Sequence, residues 1–147
     1  GGESALVKGK YARYLMWKGR KETSEKCYNE AYTMMREVLK NKDVYWLDRA
    51  TMAQICRDWY RCQTHKKTMP NRGLLVEARQ QMLEVLQDDF DTVKNIIDIA
   101  EINYLLAIHD SRDITETDRL LKEALCYIHK IRNSSHIFYL YFFPKPN

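Results

Sequence analysis

Proline is almost absent from this chain of 147 residues: none precedes Pro70, and the other two are Pro144 and Pro146. A proline inside a helix costs about 3 kcal/mol, because it removes a hydrogen bond and clashes with the preceding turn. This distribution therefore favours long helices on both sides of Pro70. The segments between the prolines are rich in good helix formers, and nothing before the last dozen residues alternates like a strand.

Apolar residues recur with helical spacing in six segments. The predicted helices span residues 4–18, 23–40, 44–63, 74–86, 91–109 and 115–132. We expect Gly19 to end the first helix, and Thr23, Asp43 and Thr115 to cap the second, third and sixth. The third and fifth segments are the most apolar, which is typical of helices covered on several sides.

The six predicted helices pair into a repeating unit. The second, fourth and sixth end near residues 40, 86 and 132, an interval of about 46 residues. A helical hairpin that recurs at a fixed period predicts a stack in which each pair covers the apolar face of the next. The fold class is therefore all-α, with about three antiparallel hairpins.

Two of these helices share a small–large–small spacing of four and then three residues. The matching positions are Ala31, Met35 and Val38 in the second helix and Thr117, Leu121 and Ala124 in the sixth. This spacing resembles the second helix of a tetratricopeptide repeat. The resemblance implies a right-handed α-solenoid. The chain departs from that family in its longer period (about 34 residues is usual) and in lacking the Trp…Leu-Gly…Tyr pattern of the first helix.

Residues 3–147 are long enough for a single domain with its own core, and we interpret Gly1 and Gly2 as an expression scar. An unbroken apolar and aromatic run, residues 137–143, follows the last predicted helix. Seven such side chains left in water would favour aggregation. We therefore expect this tail to fold back and cap the last hairpin, as the end repeats of a solenoid require.

The pattern predicts an intracellular protein, cytoplasmic or nuclear. No apolar run approaches the roughly 18–20 residues of a membrane span, and no leader segment is visible. The four cysteines lie in helical patterns beside apolar residues, where reduced thiols behave as small hydrophobes. A glycosylation sequon at Asn133 leaves a secreted helical signalling protein as an alternative.

A Cys-x-x-His pattern occurs twice, at Cys62 with His65 and at Cys126 with His129. Residues three apart share a helix face, so two such pairs would suit a tetrahedral zinc ion. Structural zinc sites usually start from a loop, however. We therefore interpret these residues as buried cysteines and helix-end histidines, and we expect neither a metal nor another cofactor.

The fifth predicted helix carries Asp98 and Glu101 three residues apart, a spacing that would allow acid–base chemistry or cation binding. We interpret them instead as the solvated edge of an otherwise covered helix. The chain has no nucleophile elbow and no His-Glu-x-x-His motif, and five glycines leave little room for a phosphate-binding loop. The sequence therefore favours a protein that is not an enzyme.

Charge is unevenly distributed along the chain. Residues 87–118 contain nine acidic and two basic residues, although the whole chain has a net charge of +4. A basic loop, residues 64–73, interrupts the array, and long loops in compact domains are often functional. We expect Lys66, Lys67 and Arg72 to contact an acidic partner. The chain is thus predicted to be an interaction module, or a fragment of a scaffold, that binds a peptide or helix of another protein.

The first predicted helix suggests an alternative partner, single-stranded RNA or another nucleic acid. Its basic residues and one of its aromatics would supply phosphate contacts and base stacking. The candidate residues are Lys8, Lys10, Arg13, Trp17, Arg20 and Lys21. The competing interpretation, which we prefer, is that the aromatic residues of this helix belong to the core.

Overall fold

A computed structural model describes residues 2–41, 43–88, 92–109 and 112–134. These residues form six helices and no strand, so the all-α prediction is confirmed for the described part of the chain. The helices are α1 (Gly2–Glu22), α2 (Glu25–Val38), α3 (Trp46–His65), α4 (Arg72–Gln87), α5 (Val93–His109) and α6 (Ile114–Ser134). Within the described ranges, every helix falls short of the combined length and apolarity that a bilayer span requires.

Packing follows the order of the chain. Each helix contacts the next, and the most extensive contacts lie within the pairs α1–α2, α3–α4 and α5–α6. α3 also contacts α1 and α5, so it is the central helix of the fold. Apolar side chains from all six helices form one main core. Its fully buried members include Met35, Met52, Ile55, Leu75, Met82, Ile99, Ile102 and Leu120.

The junction between α1 and α2 differs from the prediction. Gly19 does not end the first helix, which continues to Glu22. A Cβ atom at Gly19 would lie 3.1 Å from the ring of Tyr28, so this glycine permits close packing of the two helices. The cap also moves by one residue: Thr23 has left-handed backbone geometry (φ 50°), and the side chain of Ser24 accepts from the Cys27 amide.

Two further predicted caps, Asp43 and Thr115, are also wrong. α3 begins at Trp46 after Tyr45, with no capping side chain, so Asp43 does not cap it. α6 begins at Ile114, where the Asp113 carboxylate accepts from a backbone amide and replaces Thr115 as the cap. In both cases an acceptor residue lies near the helix start, but the backbone enters the helix at a different position.

The predicted C-terminal cap, residues 137–143, lies outside the described residues. So does Asp91, the predicted start of the fifth helix, which begins at Val93 in the structure. α4 begins at Arg72, two residues earlier than predicted, because the side chain of Asn71 accepts from the Gly73 amide at 2.9 Å.

Replacing Thr23 by glycine should stabilise the fold. A β-branched residue in left-handed geometry is strained by about 1–2 kcal/mol, and glycine relieves most of that strain at some entropic cost. We expect the free energy of unfolding of Thr23→Gly to rise by about 1 kcal/mol in urea denaturation. The matched control is Thr33→Gly, within α2, which should lower it by about 0.5 kcal/mol. Equal losses in both variants would contradict this account.

Candidate interaction surfaces

The outward face of α1 carries large apolar side chains that the core does not cover. Ala12, Leu15 and Met16 point inward and are buried, whereas Leu6, Val7, Tyr11, Tyr14 and Trp17 are 47–65% exposed. The spacing of Val7, Tyr11, Tyr14 and Leu15 in the sequence predicts one apolar face, but only Leu15 of these four is in the core. The interpretation of the α1 aromatics as core residues is wrong.

Three of these exposed residues form an aromatic ladder, which we define as Tyr11, Tyr14 and Trp17. Their ring centroids are 6.0 Å apart for the first pair and 6.1 Å apart for the second. Lys21 extends the ladder, with its ammonium 5.8 Å from the centroid of Trp17. Rings that pack on one another hold a fixed surface, so the ladder offers apolar area at low entropic cost.

The charge of this face is uniformly positive. Helical periodicity places Lys10 and Lys21 on the same side of α1 as Tyr14, and no acidic residue occurs from Ser4 to Lys21. An aromatic surface flanked only by ammonium groups favours a partner that is apolar and acidic.

Of the other candidate nucleic-acid contacts in α1, two are ion-paired with α3 and one lies at the side of the helix. Arg13 pairs with Asp48 of α3 at 3.2 Å, and Arg20 pairs with Asp58 of α3 at 2.5 Å. Lys8 is exposed at the side of α1, where it lines a shallow groove with Glu37 of α2. Of the six candidate nucleic-acid contacts, the structure thus brings Lys10, Trp17 and Lys21 together on the outward face and directs Arg13 and Arg20 toward α3.

A buried ion-pair cluster, defined as Arg57, Asp58, Asp98 and Glu101, joins α3 to α5. Arg57 Nη1 lies 2.6 Å from Asp98 Oδ1, and Arg57 Nε and Nη2 each donate to Asp58 Oδ1 at 3.2 Å. Asp98 is only 4% exposed. The interpretation as a solvated edge is therefore wrong for Asp98, which lies at the centre of an interhelical contact, whereas Glu101 is at the edge of the cluster and its side chain is 25% exposed.

Further side chains complete the cluster from its rim. Lys94 donates to Asp98 at 3.1 Å, and Arg61 Nη2 lies 2.7 Å from Glu101 Oε1 as an ion-pair contact without hydrogen-bond geometry. Burial alone would lower the pKa of Arg57, but the three carboxylates around it raise the pKa above its ordinary value. Carboxylates held in this way are suited to fixing the relative positions of two helices.

A polar depression of about 560 Å³ opens beside the cluster and is lined by residues that include Tyr28, Cys62 and His65. Burial, followed by the charge of Asp58, raises the pKa of Tyr28 to about 12. Burial also raises the pKa of the Cys62 thiol. Both groups therefore stay protonated at neutral pH, which disfavours a nucleophilic thiolate or a tyrosinate base in this depression.

The two Cys-x-x-His pairs lie in different environments. Cys62 is buried in α3, whereas Cys126 of α6 is exposed, which corrects its interpretation as a buried residue. Across the residues that the structure describes, His, Cys, Asp and Glu side chains form no group of three or more that would hold a metal ion.

The predicted partner contacts lie at the connection between α3 and α4. Lys66 is the C-terminal cap residue of α3, Lys67 follows with φ 58°, and both are exposed. Arg72 is the first residue of α4 and lines a groove between α4 and α6 together with Arg79 and Arg119. The loop itself is only six residues long, 66–71, shorter than the predicted span of 64–73.

A second apolar surface lies between α5 and α6, the last pair of helices. We call this surface the α5–α6 groove; its volume is about 490 Å³. Its principal apolar lining residues are Ile97, Ala100, Tyr104, Leu121, Leu125 and Ile128. Tyr104 and Leu125 are more than half exposed, and so are Ile108 and Ile114 nearby on the same helices. This groove was not predicted from the sequence as a separate surface.

Comparison with protein-family models, with curated proteins and with solved structures finds no match for this chain.

Removing one member of the cluster should be costly, because it leaves a buried charge with fewer partners. Loss of one partner of a buried ion pair typically costs about 3–5 kcal/mol. We expect Asp98→Ala to lower the free energy of unfolding by about 3 kcal/mol, because Arg57 keeps two carboxylate partners. The control Asp118→Ala removes an exposed pair with Lys122 (2.8 Å) and should cost less than about 0.5 kcal/mol. Similar urea midpoints for the two variants would show that the cluster does not hold α3 and α5 together.

Proposed function

We propose that this chain is a non-enzymatic interaction module, built as a right-handed stack of three helical hairpins, that binds an acidic, helical segment of another protein. The observation that carries this proposal is the outward face of α1, where the aromatic ladder and its lysines are exposed. Aromatic side chains on a rigid helix are typical energetic centres of protein interfaces.

The packing of the helices supports the stack. Contacts are most extensive within the three consecutive pairs and weaker between α2 and α3 and between α4 and α5. α3 touches α1 and α5, while α1 and α5 are not among the helix pairs that make substantial contact. Contacts limited to neighbouring units are typical of a helical array, and each hairpin there covers the next.

Nucleic acid is the second candidate partner, and the exposure of Trp17 beside Lys10 and Lys21 favours it. Two observations weigh toward protein. Arg13 and Arg20, which would supply bidentate phosphate contacts, pair with carboxylates of α3. The rings of the ladder also cover part of one another at about 6 Å, which leaves less open ring surface for stacking bases.

Lys66, Lys67 and Arg72, which the sequence predicts as contacts for an acidic partner, form a second surface in this proposal. All three are exposed, and the structure gives them no role in the core. Because Lys66 and Lys67 lie at the C-terminus of α3 and Arg72 at the N-terminus of α4, they occupy opposite ends of two helix dipoles.

Serine substitution of the ladder should weaken binding strongly without affecting the fold. Tyr14→Ser/Trp17→Ser changes two exposed side chains, so we expect a shift in stability within about 0.5 kcal/mol for each. Loss of two aromatic contacts should weaken binding about 30-fold or more. The measurement is affinity capture from cells that express the protein, followed by titration of each captured protein in purified form.

The control for that experiment is Met69→Ser, at an isolated residue that is 91% exposed in the loop after α3. It should bind like the wild type. Capture that disappears after ribonuclease treatment would replace the protein partner by RNA. Equal binding by the ladder variant and the control would exclude the outward face of α1 as the site.

Reversing the loop charges should weaken binding but leave the fold intact. In Lys66→Glu/Lys67→Glu/Arg72→Glu, each lysine change should lower the free energy of unfolding by about 0.3–1 kcal/mol, because it places a negative charge at the C-terminus of a helix. The arginine change should raise it by a similar amount, because it places a negative charge at an N-terminus. We therefore expect a melting temperature within a few degrees of the wild type and a lower affinity for the purified partner. A triple variant that unfolds would make the loop a structural element.

A further inference from the structure

The α5–α6 groove is an apolar surface that the described residues leave open. Tyr104 and Leu125, which line it, are both more than half exposed. Among the described lining residues only Glu101 carries a charge, and it already pairs with Arg57 and Arg61 of α3. An open apolar surface with its one charge already paired favours an occupant that is apolar and uncharged.

The earlier helix pairs show which part of the chain covers such a surface. α3 contacts both helices of the pair before it, α1 and α2, and α5 contacts both α3 and α4. In each case a pair is covered by the segment that follows it in the chain, as in a helical array. The segment that follows α5 and α6 is residues 135–147, which lie outside the described residues. Continuation of the same order assigns the α5–α6 groove to this segment.

The composition of that segment suits the groove. Residues 137–143 read Ile-Phe-Tyr-Leu-Tyr-Phe-Phe, so all seven are aliphatic or aromatic and none is charged. Such a run has little affinity for water, and a tyrosine can bury its ring while its hydroxyl stays at the edge of a contact. The run therefore has the chemistry that the groove favours.

The segment is also long enough to follow the whole groove. α6 ends at Ser134, and Leu121, the groove residue of α6 farthest from that end, lies about 20 Å away along the helix axis. Residues 135–143 span up to about 30 Å when extended. A segment tied to α6 in this way meets the groove at an effective concentration in the millimolar range, which few free partners reach.

We infer that residues 137–143 occupy the α5–α6 groove of their own chain. The sequence predicts this run as a cap on the last hairpin, and the groove supplies a binding site for it. Connection to α6 favours the run over a second copy of the chain or a separate protein as the occupant. The contact does not involve α1, so the inference goes beyond the proposed function and is independent of it.

Photo-crosslinking in the full chain tests this contact directly. The probe is p-benzoylphenylalanine in place of Tyr139, and mass spectrometry after irradiation maps the residues to which it is bonded. Residues that line the groove, Tyr104 and Leu125 among them, should be the main crosslinked sites. The matched control carries the same probe in place of Met69, in the loop after α3, and should not crosslink to the groove.

A mixture of isotopically labelled and unlabelled chains identifies the occupant. We expect crosslinks to the groove within one chain only. Crosslinks that join a labelled to an unlabelled chain would make the occupant a second copy and would overturn the inference. A probe that reaches only other helices, or that forms no crosslink within the protein, would leave the groove open to a separate partner and would overturn it as well.

Thermal unfolding of the full chain provides an independent test. Leu125→Ser changes the groove, and Phe138→Ser/Phe142→Ser changes the run. Each should lower the melting temperature by about 5 °C, because each removes apolar area from the same contact. The combined variant should lose little more than the larger of the two separate losses. Losses that simply add, or no loss in either variant, would show that the run and the groove do not meet. If the run variant fails to fold, the crosslinking result decides.

Discussion

The buried contact between Arg57 of α3 and Asp98 of α5 ties the central helix of the fold to the last pair of helices. The two groups lie 2.6 Å apart with little access to water, so each is stable in the interior only while the other is in place. Asp58, which accepts from the same guanidinium, also pairs with Arg20 of α1. One arginine therefore fixes α5 directly and α1 through its neighbour. Aliphatic contacts tolerate sliding better than a guanidinium and a carboxylate do, so this cluster sets the register of the three helices.

This anchoring explains why α1 holds a rigid outward face. Arg13 and Arg20 tie α1 to α3 at Asp48 and Asp58, and Gly19 brings the helix close to Tyr28. The inward side of α1 contributes Ala12, Leu15 and Met16 to the core, and its aromatic side chains lie on the opposite side. Aromatic residues in that position are costly for an isolated molecule and useful for one that binds a partner.

The sequence predicts the helices well because their signals are local, and it fails where a signal has two meanings. Proline placement and apolar spacing locate six helices within a few residues of their bounds. Gly19 resembles a helix end, since its missing Cβ permits left-handed geometry, but the same absence permits close packing against Tyr28. Asp98 looks solvated because its partner Arg57 lies 41 residues earlier and no local pattern connects them. The outward face of α1 was predictable in principle, because Gly9, Ala12 and Gly19 mark the side that packs.

The central claim is that the aromatic ladder of α1 is exposed in the free protein and covered when a partner protein binds. Hydroxyl-radical footprinting with mass spectrometry, with and without the captured partner, measures this directly. We expect rapid oxidation of Tyr14 and Trp17 in the free protein, where both are about half exposed. Binding of the partner should protect these two residues. Strong protection of Tyr14 and Trp17 already in the free protein would contradict the claim, because it would place the ladder inside the fold.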